Sequence, residues 1–155
     1  TRSTGNKGGV TPWTTKNFLA HYWLGLGKQV DLGKVGLGKE FKNAQSVKTA
    51  TDKFINDIGL MQKNSFYLNW SLTAHTNVTG VGKKDFTGKP ALFSVGDTNP
   101  FFMNAECKSG DCTFTFTLSD DFVDALDIDD EWQGNQDVGI SYHIHYEWIE
   151  KRVYQ

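Results

Sequence analysis

The chain has 155 residues, 38% of them hydrophobic and 22% charged, with a net charge of -2, the size of one domain with a single buried core. That charge balance argues against a nucleic-acid binder held by a basic face, and no apolar run approaches the ~20 residues needed to cross a bilayer. The chain opens at Thr1 with neither a methionine nor an apolar signal-like stretch, so it reads as a piece of a longer polypeptide with any targeting signal elsewhere.

Residues 1–11, rich in Gly, Thr, Ser and Asn, read as a linker or tail, and residues 12–155 as one domain. Thr14 or Thr15 can cap a helix running from Lys16 to Leu24 and ended by Gly25 and Gly27. Phe18, Leu19, Tyr22 and Trp23, with Leu26, share one stripe, so this helix is mostly core. Gln29 to Gly38 is punctuated by glycine but lacks the spacing of a phosphate-binding loop. A second helix starts at Ser46, carries Val47, Ala50, Phe54, Ile55 and Ile58 at helical spacing, and stops at Gly59. From Ser65 the period changes to that of strands. Phe66, Leu68, Trp70 and Leu72 alternate with polar or smaller residues, and further strands are expected at 91–95, 100–106, 112–118 and 139–150. Asn77 to Lys89 is a polar connection. Helices first and an antiparallel β-meander afterwards predict an α+β domain with a curled sheet or partial barrel.

The two cysteines, Cys107 and Cys112, flank the turn signal Ser109-Gly110. They can face each other across a hairpin at disulfide distance, which would suit an oxidising compartment. A disulfide, or two idle thiols, is favoured over metal, because two ligands are too few for a structural zinc site.

Cys112 to Asp127 holds the densest chemistry. Phe114, Phe116 and Leu118 line one face of a strand, Thr113, Thr115 and Thr117 the other, and four aspartates follow: Asp120, Asp121, Asp124 and Asp127. Two readings stand. Either the strand delivers carboxylates rigidly to a catalytic or metal site, or Ser119 caps a short helix with Asp120 and Asp121 in its first turn and Phe122, Ala125 and Leu126 buried. His143 and His145, two apart on the last strand, point to one face, where they could bind a metal or place a general base, or simply lie on the surface. His21, beside Tyr22 and Trp23, reads as structural, and nothing marks His75 as reactive. No Ser-His-Asp, HExxH or Walker-type sequence motif is present. Carboxylates with a histidine and a divalent cation suit phosphoester or pyrophosphate cleavage.

The segment Phe18 to Gly27, followed by Val30-Asp31-Leu32 and Val35-Gly36-Leu37, resembles the start of the catalytic domain of the colicin M family. Ser119-Asp120-Asp121-Phe122-Val123-Asp124 is similar to that family's acidic D-x-Y-D motif, with Asp121 and Asp124 as the two aspartates and Val123 in the tyrosine's place. The resemblance spans roughly residues 12–150. It implies a half-open β-barrel with helices outside, and an antibacterial toxin acting in the periplasm of target bacteria after secretion. It also implies Mg²⁺-dependent hydrolysis of the peptidoglycan precursor lipid II between undecaprenol and its pyrophosphate, and a cognate immunity protein as partner. The family's His-Arg pair is missing, since Asp127-Ile128-Asp129-Asp130-Glu131-Trp132 stands in its place. The expected site is therefore Asp121, Asp124 and Asp127 with His145 or His143 as replacement, and Asp121 and Asp124 as the Mg²⁺ ligands. Two other functions compete: a non-catalytic binder of lipid carriers or cell-wall precursors, and an intracellular nuclease toxin using His143 and His145.

Overall fold

A computed structural model describes residues 11–78, 98–122 and 139–154. The expected strand at 91–95, nearly all of the tail at 1–11 and most of the connection from Asn77 to Lys89 lie outside them, as do Val123, Asp124 and Asp127. In chain order the elements are α1 (Thr15–Leu24), β1 (Val30–Asp31), α2 (Gly38–Asn43), α3 (Gln45–Met61), a 3₁₀ turn (Ser65–Tyr67), β2 (Trp70–Val78), β3 (Thr98–Lys108), β4 (Asp111–Phe122) and β5 (Tyr142–Val153). The five strands form one open sheet in the order β1-β5-β4-β3-β2. β2 to β5 are the expected antiparallel meander, while β1 joins β5 in parallel. The predicted α+β class holds, and among the described residues the sheet does not close, as expected of a half-open barrel.

Alternation along the strands makes one face of the sheet the core. Phe101, Met103 and Ala105 from β3, Phe114, Phe116 and Leu118 from β4, and Ile144 and Trp148 from β5 are buried there. Helices cover them. Phe41 of α2 lies edge-on to Phe101 and Trp148, at 6.0 and 6.1 Å between ring centres, and Phe54 of α3 does the same to Phe114 at 6.0 Å. The α1 stripe is as expected for Phe18, Leu19 and Tyr22, which are buried, whereas Leu26 lies beyond the helix and is exposed.

Two local expectations are corrected. Gly59 does not stop α3, which runs to Met61; a side chain at Gly59 would meet the Tyr154 ring at 2.8 Å, so glycine serves close packing there. Phe66 is exposed in the 3₁₀ turn rather than in a strand, because the Asn64 side chain accepts the Phe66 N–H and bends the chain locally. The glycine-punctuated segment, for which no element is expected, holds β1 and leads into α2 at Gly38. Its residues Val30, Leu32 and Leu37 are buried, so the glycines interrupt an apolar pattern too short to show a period.

Ser109 and Gly110, both at positive φ (52° and 84°), make the two-residue turn between β3 and β4. This sets Cys107 opposite Cys112, with Cα atoms 4.1 Å apart and a disulfide between them. The closed loop is short, so its entropic contribution is modest, about 2 kcal/mol. Replacing both cysteines by alanine should lower unfolding stability by about that amount in a denaturant titration. Dithiothreitol should shift the native chain similarly and leave the variant unmoved.

Candidate functional site

The site grows from the register of β4 against β5. Strand β4 continues through Asp120 and Asp121 to Phe122, so Ser119 caps no helix and Asp120 is no helix-start residue. The run Thr115 to Leu118, already β-favouring, extends the ladder because β5 offers partners along its full length. Alternation then sends Thr117, Ser119 and Asp121 to the face opposite the aromatic core, and His143, His145 and Glu147 of β5 to that same face. Asp121 pairs with His143, Ser119 with His145 and Thr117 with Glu147.

Three of these side chains form a continuous relay. His143 Nδ1 is 2.8 Å from Asp121 Oδ1, and His143 Nε2 is 3.0 Å from Ser119 Oγ. An ionised carboxylate only accepts, so the proton of the neutral imidazole belongs on Nδ1. Nε2 is then a free base that accepts the Ser119 hydroxyl. The Asp121 carboxylate is 64% and the His143 ring 37% exposed, so a substrate can reach the pair. One step along the face, the Thr117 hydroxyl donates to Glu147 at 3.3 Å.

His145 is stacked 6.5 Å from His143 between ring centres and stands across from Ser119. Of the two candidate histidines, His143 is the one in contact with Asp121. Asp124 and Asp127 lie outside the described residues. Among the described residues no three His, Cys, Asp or Glu side chains converge as a metal cage. Among the described residues this face carries the accessible carboxylates of Asp121 and, beside Thr117, Glu147, a donor set that suits a Mg²⁺ ion shared with substrate phosphates rather than one caged by protein. His21 is structural, as expected: its Nε2 lies 2.7 Å from the Lys28 carbonyl and its ring packs edge-on against Tyr142.

The serine escaped the sequence reading. Its relation to His143 runs across strands 24 positions apart in the chain, and no linear motif records it. The available signal was the i, i+2 spacing of Ser119 and Asp121 on a strand facing a strand with a histidine pair.

Asp120, alternate to Asp121, shares the core face with Leu118 and sits opposite Ile144, both fully buried. Burial pushes its carboxyl up to about 6, against the hydrogen bond that it accepts from the Asp121 N–H; the Asp121 charge adds to the rise and His143 offsets it.

Comparison with protein-family models, characterised proteins and solved structures finds no match to this chain.

Because the folded-state value of Asp120 lies above its ordinary 3.8, its contribution favours folding below about pH 4 and is lost as pH rises through about 6. Asp120→Asn, which keeps the acceptor for the Asp121 N–H, should flatten that part of the stability profile. In denaturant titrations the variant should be more stable than the native chain at pH 7.5, with the gap closing towards pH 4. A gap that widens on acidification would show that Asp120 is stabilised as the anion.

Proposed function

We propose that this domain is an antibacterial toxin that hydrolyses the undecaprenyl–pyrophosphate link of lipid II and so blocks cell-wall synthesis. The observation that carries this reading is the 2.8 Å contact between Asp121 and His143. Asp121 is one of the two aspartates that the colicin M-like motif singles out, and His143, one of the two histidines expected to replace the missing family histidine, meets it from the neighbouring strand. The reading is also supported by the Cys107–Cys112 disulfide, which suits a periplasmic workplace.

The residues divide the work by chemistry. Asp121 holds the His143 ring with Nδ1 protonated and stabilises the imidazolium. His143 Nε2 takes a proton from the attacking oxygen and returns it to the undecaprenol oxygen as the leaving group departs. His145, across from Ser119, offers an N–H donor to a substrate phosphate oxygen. When bound, Mg²⁺ supplies neutralisation of the pyrophosphate charge, and Asp121 is a described residue available to hold it. Asp124, which follows β4, is proposed as the second ligand. A cognate immunity protein is the proposed partner in the producing cell.

Purified domain incubated with lipid II and Mg²⁺ should release undecaprenol and a pyrophosphorylated sugar-peptide, and chelation should stop this until Mg²⁺ is restored. Asp121→Asn and His143→Ala should each slow release by at least about 100-fold, the scale of a lost general acid–base group. His145→Ala should cost less. Export to the periplasm should be toxic and cytosolic expression much less so. Native-like hydrolysis by both the Asp121 and His143 variants would sink the site, while lipid II binding without release would favour a carrier-binding domain instead.

A further inference from the structure

We infer that Ser119 is the nucleophile of this site, so that the reaction passes through a covalent seryl intermediate. The inference rests on the lipid II reading only in naming phosphorus as the atom attacked. Ser119, His143 and Asp121 stand in the order nucleophile, base and orienting acid, at 3.0 and 2.8 Å. Asp121 assigns the ring proton to Nδ1, which leaves the Nε2 lone pair facing the Ser119 O–H. Among the described residues no packing need explains the arrangement. The relay lies on the face away from the aromatic core, and the exposed carboxylate and part-exposed ring could be satisfied by water without a serine.

The chemistry balances in two steps. Ser119 Oγ attacks the phosphorus next to undecaprenol as its proton passes to His143 Nε2; an Oγ–P bond forms, the P–O bond to undecaprenol breaks, and His143 protonates the departing alkoxide. Water then attacks the same phosphorus, giving one proton to His143. The Oγ–P bond breaks, the pyrophosphorylated sugar-peptide leaves, and the proton returns to Ser119.

The test is a fluorophosphonate probe, which reports an activated serine without lipid II. Intact-protein mass spectrometry of the full chain should show one probe per molecule, mapped to Ser119 and absent in Ser119→Ala. His143→Ala should label at least about 100-fold more slowly. Ser119→Cys should be alkylated by iodoacetamide faster than the same thiol in the Ser119→Cys/His143→Ala double variant. Circular dichroism of each variant checks folding. Absence of labelling in the folded native chain, equal labelling in Ser119→Ala, or lipid II cleavage by Ser119→Ala at the native rate overturns the nucleophile; the last of these leaves the lipid II reading intact. Labelling at Ser119 without any lipid II cleavage keeps the nucleophile and rejects lipid II as substrate.

Discussion

Pairing of β4 with β5 runs unbroken from Asp111↔Val153 to Phe122↔Tyr142, and both the core and the site depend on that one register. On one face it sets Phe116 beside Trp148, 5.2 Å between ring centres; on the other it sets Asp121 against His143. A slip of one residue would send Phe114, Phe116 and Leu118 to solvent and turn the threonines inward. Each large apolar side chain lost from the core costs roughly 1.5–3 kcal/mol, so the aromatic face holds the register strongly. The polar relay inherits its geometry from this pairing, and it needs little intrinsic stability of its own.

The start of β5 is braced from two further directions. Leu32 donates its N–H to the His145 carbonyl at 3.0 Å, and β1 pairs alongside in parallel. On the α1 side, the Tyr142 hydroxyl donates to the Phe18 carbonyl at 3.0 Å and the Ile140 N–H to the Tyr22 carbonyl at 2.8 Å. Gly139 lies so close to the Tyr22 ring that no side chain fits between them. His143 therefore sits on a strand end clamped between a helix and a strand, which fixes the position of its ring.

Periodicity made much of this legible. The alternation of Phe114, Phe116 and Leu118 announced β4, the helical spacing of Val47, Phe54 and Ile58 announced α3, and Ser109-Gly110 between the cysteines announced the hairpin and its disulfide. What remained hidden was short or non-local. β1 is two residues long, below any period, and the 3₁₀ turn at Ser65–Tyr67 rests on one asparagine side chain competing with the ladder. Asp121 and the histidine pair were visible as candidates, because carboxylates and imidazoles attract notice wherever they stand. Ser119 was not, since a serine at a strand end has many ordinary roles and only the register shows which residue it meets.

Asp120 shows how closely the two faces are coupled. Adjacent aspartates on a strand must part company, and here Asp121 goes to the accessible face while Asp120 goes to a half-buried position opposite Ile144. A carboxyl there opposes ionisation and weakens the fold at neutral pH, a local breach of the rule that charges stay wet unless paired. The same carboxylate accepts the Asp121 N–H at 2.9 Å. That bond engages the backbone of the residue that orients His143, so the acid that burdens the core also steadies the acid that serves the site. Such breaches concentrate where geometry is held for chemistry rather than for stability. This one lies one residue from both Ser119 and Asp121.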